Sequence, residues 1–329
     1  MLVYPQRHDR AALLNSTDGL TTMQDGRDRL RRSAHFVPGA NERMLRKALE
    51  TDADCLILDL EDAVTAERKQ AARETIAQWL QDVDFAAKER TIRMNPLDTP
   101  WGEDDLRATM INPPDAYVVP KVSTLAELSA IDALITRLEA EHGHPDNSVG
   151  LILISTETPI GVLNLPTFTA CRRVSALSWG AEDLSAALGA PRNRRPDGSY
   201  LDVYRYCRTQ TLLCAAAGGV QPLDTVFVDI NDAAGLRAEC EEAAWMGFTG
   251  KITIHPAQVD VVNAAFTPAR DEIEQARRLI DAFADADSQG KMAIQFEGKM
   301  VDVPHLVRAR KLITRADQIR SVTEHPDDT

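Results

Sequence analysis

The chain has no apolar run near the roughly 18 residues needed to span a bilayer. Its N-terminus shows no charged stretch leading into an apolar one, so no secretory leader is expected. Basic residues are in deficit: 37 against 50 acidic ones, a net charge of −13. That balance excludes a nonspecific binder of nucleic-acid backbones, although a local basic pocket for one phosphorylated ligand remains open. Cysteine pairs are missing as well. Cys55, Cys171, Cys207, Cys214 and Cys240 form no CxxC motif, are odd in number and are irregularly spaced. They read as buried free thiols in a reducing cytoplasm. No internal repeat at solenoid spacing is present.

The chain does contain ample core material, with 44% hydrophobic residues. Its 329 residues suit one large decorated domain or two ordinary ones. From Ser33 onward, short apolar runs alternate with helical patterns. The runs cover 33–37, 55–60, 91–95, 116–121, 150–157, 173–180, 225–230 and 251–255. They are almost continuously apolar, as expected of parallel strands covered on both faces. Asn41 is placed to cap a helix over 42–51, Thr124 and Glu127 form a capping box, and Asn231 or Asp232 caps a helix that Gly247 ends. Eight strand–helix units in series favour a closed (β/α)8 TIM barrel over a doubly wound sheet. The predicted organisation is a polar extension over 1–28, a barrel over 29–266, and a C-terminal helix and lid over 267–329. The long helix of that last part starts at Thr267–Pro268 and runs through Phe283, followed by a polar break over 285–290 and then a strand or turn plus a helix over 293–314. The segment PRNRRPDGSY (191–200) reads as a loop inserted after the sixth strand.

In such barrels chemistry sits at the C-terminal ends of the strands. The polar residues collect there: Asp59, Glu61 and Asp62 after strand two, Arg93 and Asn95 after strand three, Lys121 after strand four, Glu157 after strand five, Glu182 and Asp183 after strand six, Asp229 after strand seven and His255 after strand eight. Glu157 and Asp183 follow neighbouring strands. Two converging carboxylates suit a hard dication such as Mg2+; an acidic pair can equally serve as helix caps or ion-pair partners. Arg93 suits a carboxylate or a developing enolate oxygen, or it neutralises Glu61 or Asp62. Lys121 suits a Schiff base, but among acidic neighbours an ion pair is the plainer reading. His255 reads as a general base or, more simply, as a capping residue. Asp59 and Asp229 read as scaffold hydrogen-bonders. Arg31 and Arg32 read as a solvated pair, yet they are placed to meet a ligand phosphate near the barrel mouth.

The stretches RSAHFVPGANERMLRKAL (32–49), LILDLEDAVTAERKQAAR (56–73), IRMNPLDTPWGEDDL (92–106), VPKVSTLAEL (119–128), TETPIGVLNL (156–165), SWGAEDLSAALG (178–189) and ITIHPAQVDVVNAAFTP (252–268) together resemble the HpcH/HpaI aldolase–citrate lyase beta family. The resemblance covers about residues 32–314. It implies a Mg2+-dependent lyase acting on a carbon–carbon bond between an acyl-thioester enolate and a 2-oxo acid such as glyoxylate or pyruvate. It places metal ligands at Glu157 and Asp183, both also substrate-binding, and an enolate-steadying group at Arg93. It places a supporting acidic motif at Glu61 and Asp62.

The tail FEGKMVDVPHLVRARKLI (296–313) resembles the lid of malyl-CoA and citramalyl-CoA lyases. This implies a catalytic aspartate at Asp302, often delivered across a subunit interface, and hence a homo-oligomer, a trimer or hexamer. CoA is then the expected cofactor-like partner, with Arg31 and Arg32 as candidates for its phosphates. No nucleic-acid or membrane partner is expected. The alternatives within the family are a citryl-thioester lyase, a free 2-oxo-acid aldolase and an acyl-CoA thioesterase. A non-catalytic CoA-ester binding protein is the more distant one.

Overall fold

The computed structural model describes residues 26–287 and 292–323. Eight strands close into a parallel barrel in chain order: β1 (Ser33–Val37), β2 (Cys55–Asp59), β3 (Glu89–Arg93), β4 (Ala116–Val119), β5 (Gly150–Ile154), β6 (Val174–Ser178), β7 (Gln221–Asp224) and β8 (Gly250–Thr253). β8 pairs with β1 in parallel, Ala34 against Ile252, which closes the ring. Around it lie α1 (Glu42–Leu49), α2 (Lys69–Asp82), α3 (Gly102–Thr109), α4 (Leu125–His142), α5 (Pro159–Phe168), α6 (Glu182–Leu188), α7 (Asp202–Gly218), α8 (Ala233–Met246) and α9 (Val259–Ala265). Beyond the barrel, α10 (Arg270–Asp287) and α11 (Val303–Thr323) flank a hairpin of β9 (Ala293–Phe296) and β10 (Lys299–Asp302). The polar break expected over 285–290 is therefore helical as far as Asp287, and its remainder lies outside the described residues. So does the polar extension, except for residues 26–28.

Alternation along each strand sorts the core into two shells. Ala34, Cys55, Ile57, Ala116, Val118, Ile152, Ile154, Ala176, Leu223 and Ile252 pack inside the ring. Leu56, Leu58, Ile92, Tyr117, Val119, Leu151, Leu153 and Leu177 face outward onto Ile76, Leu128, Ile135, Leu165 and Phe168 of the helices. The helix ends follow the expected side-chain chemistry. Asn41 accepts from the Met44 amide, Thr124 from the Glu127 amide and Asp232 from the Gly235 amide. Glu127 reaches back to the Ser123 amide, one residue before the cap. Gly247 ends α8 with φ +110°, a conformation that glycine adopts without steric cost.

Two expectations need correction. The seventh strand is Gln221–Asp224; residues 225–230 follow it as irregular chain. The β-branched stretch TVFVDI looks the better strand former, but Val228 and Ile230 are exposed. Pairing decides the matter. Gln221 and Pro222 register with β6, and Leu223 and Asp224 with β8, so this four-residue segment is the one that bridges the two neighbouring strands.

Arg31 and Arg32, in turn, do not sit at the mouth. They precede β1 and therefore lie at the opposite, N-terminal end of the barrel. Arg31 is fully enclosed and grips Glu89, the first residue of β3, at 2.6 and 2.7 Å, with a further bond to Ser175. Arg32 grips Asp54 at 2.8 and 2.9 Å. Each guanidinium makes a two-pronged pair with one carboxylate and plugs the barrel floor; only Arg31 Nη1, itself buried, has no hydrogen bond.

His35, in the middle of β1, is also buried. Its Nδ1 lies 3.0 Å from the Thr253 hydroxyl. Burial above all, with the nearby His255 adding to it, lowers its pKa to about 4. The unfolded chain takes up this proton near pH 6.5, the folded chain only near pH 4. The stability His35 contributes is thus complete above pH 6.5 and is lost as pH falls towards 4. Over that range wild-type unfolding free energy should drop about 1–3 kcal/mol more than that of His35→Gln. Urea titrations at pH 7 and pH 4.5 check this, and equal drops would contradict it.

Candidate active site

The C-terminal rim of the barrel brings together residues from five consecutive strand ends, β2 to β6. Arg93, the last residue of β3, donates from Nε and Nη2 to the two oxygens of Asp59, the last residue of β2, at 2.7 and 2.6 Å. Its guanidinium lies 4.6 Å over the Phe36 ring of β1. The remaining nitrogen, Nη1, is 3.0 Å from Glu61 and 3.6 Å from Asp62. The nearer oxygen, Glu61 Oε2, still lacks a hydrogen bond. Nη1 is therefore held by charge, with donor capacity left over. Burial works against the Arg93 charge, but hydrogen bonding to Asp59 and the charges of Asp59, Glu61 and Asp62 together outweigh it and raise the pKa.

Beneath this group Lys69 of α2 is buried. Its ammonium donates to the carbonyls of Leu60 and Glu61 and to Asn95, at 2.7–2.8 Å. Asn95 in turn donates to Leu60 and to Asp105. The loop carrying Glu61 is thus clamped from below by its backbone, which leaves its carboxylate to face the mouth.

Lys121 lies two residues past β4, in the left-handed region at φ +54°. The conformation is uncommon for a residue with a side chain. It points the backbone amide at Glu157 Oε2, 2.7 Å away, and the ammonium at Glu61, Asp62 and Asp183. The contact to Asp183 is 3.4 Å. Burial opposes the ammonium's charge, but Glu61, then Asp183 and Glu157, raise its pKa on balance. No carbonyl chemistry is needed to explain Lys121; it is an ion-pair partner.

Glu157 is 5% exposed. Burial first, and the charge of Asp183 second, push its pKa up to about 8. Glu61 is also raised, by burial, against the pull of Arg93 and Lys121. Asp183 stands in the first turn of α6 and is partly open to solvent. Five carboxylates (Asp59, Glu61, Asp62, Glu157 and Asp183) thus meet two cations, Arg93 and Lys121. No group of three or more His, Cys, Asp or Glu side chains that could hold a metal occurs among the described residues. Of the acidic pair, Glu157 is buried and Asp183 partly exposed.

The remaining rim residues have plainer roles. His255 accepts from the Ala257 amide and forms a capping box with Gln258. Asp229 accepts from the Asn231 amide. Asn193 and Arg194 of the 191–200 loop reach Glu182 and Glu239, and Arg194 stacks on Tyr200 at 3.6 Å. Asp302 is not brought to the mouth. It ends β10, is exposed, and pairs with His305 at 2.6 Å. The hairpin packs on α10 and α11, and α11 is tied to the barrel floor by Arg315 bonding the carbonyls of Thr249 and Phe266.

Comparison with known proteins now becomes informative. The model of the HpcH/HpaI aldolase/citrate lyase family matches residues 32–256. The chain belongs to this family. It is 38% identical over 289 residues to a (3S)-malyl-CoA thioesterase of Cereibacter sphaeroides, covering 88% of this chain and 95% of the relative. It is 33% identical over 305 residues to the mitochondrial citramalyl-CoA lyase of Homo sapiens, covering 88% and 86%. Among solved structures it resembles CitE of Mycobacterium tuberculosis in complex with magnesium, acetoacetate and coenzyme A. There the identity is 32%, the TM-score 0.70, and the coverage 88% of this chain and 99% of that one. The fold and the family read from sequence are therefore those found.

Phe36, Lys69 and Gly180 were not singled out by sequence reasoning. Gly180 could have been, because it sits directly before the acidic AED run. A Cβ there would stand 2.6 Å from Glu157 Cγ, so the glycine makes the room in which that carboxylate lies. Gly180→Ala should fold, lose about 1–3 kcal/mol through overpacking and displace Glu157 from the Lys121 amide. A thermal melt and a crystal structure of the variant check this; an unmoved Glu157 would contradict it.

Proposed function

We propose that the protein is a Mg2+-dependent carbon–carbon lyase. Its substrate is a 3-hydroxyacyl-CoA such as malyl-CoA or citramalyl-CoA, which it cleaves to, or forms from, acetyl-CoA and a 2-oxo acid. The observation that carries this reading is the acidic pair Glu157 and Asp183 at the barrel mouth, in a site whose carboxylates outnumber its cations. The residues fit the metal. Both donors are hard carboxylate oxygens, Glu157 is buried with only a backbone amide and distant charges to satisfy it, and Mg2+ needs no more than one or two such ligands beside water and substrate. Relatives solved with magnesium and with oxo acids or coenzyme A support it.

When bound, the metal supplies Lewis acidity and a template for the carboxylate and 2-oxygen of the oxo-acid unit. The chain's own residues do the rest. Asp59 locks Arg93 at Nε and Nη2, leaving Nη1 to meet the thioester oxygen as it gains charge. Glu61 and Asp62 steady Arg93 and Lys121. In the cleavage direction the 3-hydroxyl gives up its proton to solvent water at the open mouth, the bond between C2 and C3 breaks, and its electron pair passes into the thioester enolate. Asp302 then protonates the enolate carbon, and takes that same proton in condensation. Since Asp302 stands away from its own barrel's mouth, the hairpin serves a neighbouring subunit. The working form is a homo-oligomer, a trimer or hexamer.

A second reading, thioester hydrolysis, is favoured by the malyl-CoA thioesterase likeness. Product analysis separates the two. Acetyl-CoA and glyoxylate from malyl-CoA mark the lyase; malate and free CoA mark the thioesterase. Asp302→Asn should keep its fold and metal while turnover falls by about 10²–10³; normal turnover would remove Asp302 from the mechanism. Combining Glu157→Gln with Asp183→Asn should abolish Mg2+ binding by calorimetry, and unchanged affinity would refute the metal assignment.

A further inference from the structure

Lys121 is the one residue that touches every free carboxylate of the mouth. Its amide holds Glu157, and its ammonium reaches Glu61, Asp62 and Asp183. The Lys121 side chain is 29% exposed and its contacts to Asp62 and Asp183 are long, 3.3 and 3.4 Å, whereas that to Glu61 is close. It is therefore anchored on Glu61 and leans towards Asp183. The left-handed backbone at Lys121 sets this double reach, since it turns amide and side chain towards the same cluster.

We infer that the Lys121 ammonium is a resident counter-cation of Asp183 that a metal ion must push aside, so that Lys121 sets how weakly the site holds its metal. This rests on the reading of Glu157 and Asp183 as metal ligands. A dication on Asp183 and an ammonium 3.4 Å from the same oxygen repel each other. On metal binding, Lys121 withdraws to Glu61 and Asp62, whose carboxylates otherwise form an ion pair with Arg93. Loading the metal is thereby coupled to a firmer hold on the acidic loop after β2, the loop that steadies Arg93. The lysine also keeps the empty mouth from carrying its full load of uncompensated negative charge. Removing it should tighten metal binding at the cost of apo stability.

The test measures Mn2+ affinity by electron paramagnetic resonance without substrate, with Mg2+ as competitor, in wild type, Lys121→Met, Lys121→Gln, Lys121→Arg and Asp183→Asn. The two neutral variants should bind Mn2+ about five- to tenfold tighter than wild type, the size expected for removing one like charge a few ångströms away in a partly solvated site. Lys121→Arg, which keeps the charge, should stay within about twofold of wild type. Both neutral variants should also melt at a lower temperature than wild type without metal and regain that loss with it. Unchanged or weaker binding in both neutral variants overturns the inference, as does equal tightening in Lys121→Arg. Asp183→Asn tells the two failures apart. If it leaves wild-type Mn2+ affinity unaltered, the metal assignment itself is wrong. If it weakens binding while the neutral lysine variants do not tighten it, only the role given to Lys121 falls.

Discussion

Closing parallel strands into a ring forces every strand's carboxyl end onto one rim, and on that rim this chain places more negative charge than it can neutralise from its own side chains. The rest of the mouth is arranged around that imbalance. Asp59 is spent on Arg93, and Glu61 and Asp62 divide their attention between Arg93 and Lys121. Glu157 remains buried with a backbone amide as its near partner. A buried carboxylate in that position either holds a proton or holds a cation. In the proposed function it holds the cation.

The two ends of the barrel handle buried charge differently. At the floor, Arg31 with Glu89 and Arg32 with Asp54 are matched pairs with their hydrogen bonds internally satisfied on the carboxylate side. Such pairs specify the closure of the ring, and their burial shuts them off from a ligand even where, as at Arg31 Nη1, one donor has no partner. At the mouth, Arg93 Nη1, Glu61 Oε2 and the acidic pair keep unspent capacity. This difference separates a structural end from a functional one in a barrel whose ends are otherwise both rich in charge.

Much of this was legible beforehand. Seven of the eight apolar runs, the caps at Asn41, Thr124 and Asp232, and the stop at Gly247 all follow from local chemistry, and the structure has them. So does the gathering of Asp59, Glu61, Arg93, Lys121, Glu157 and Asp183 on one rim, because a residue just after a parallel strand has only one end of the barrel to occupy. The seventh strand was misplaced because intrinsic preference favoured TVFVDI, while strand identity was settled by which residues found partners on β6 and β8. Arg31 and Arg32 were misplaced because an arginine before a strand looks the same in sequence whether it meets solvent, a phosphate or a buried glutamate more than fifty residues away.

The order of residues along the chain was by itself enough for the barrel, its family and the list of polar groups at its mouth. These depend on periodicity, on capping and on motifs that are contiguous in sequence. Only the tertiary structure decided which charges are spent and which are free: Arg93 locked on Asp59 over Phe36, Lys121 turned by its left-handed backbone onto Glu61 and Asp183, Gly180 leaving space for Glu157, and Asp302 held away from its own barrel's mouth. The physical reason is that pairing and desolvation depend on distances between residues far apart in the chain, and no local pattern encodes those distances.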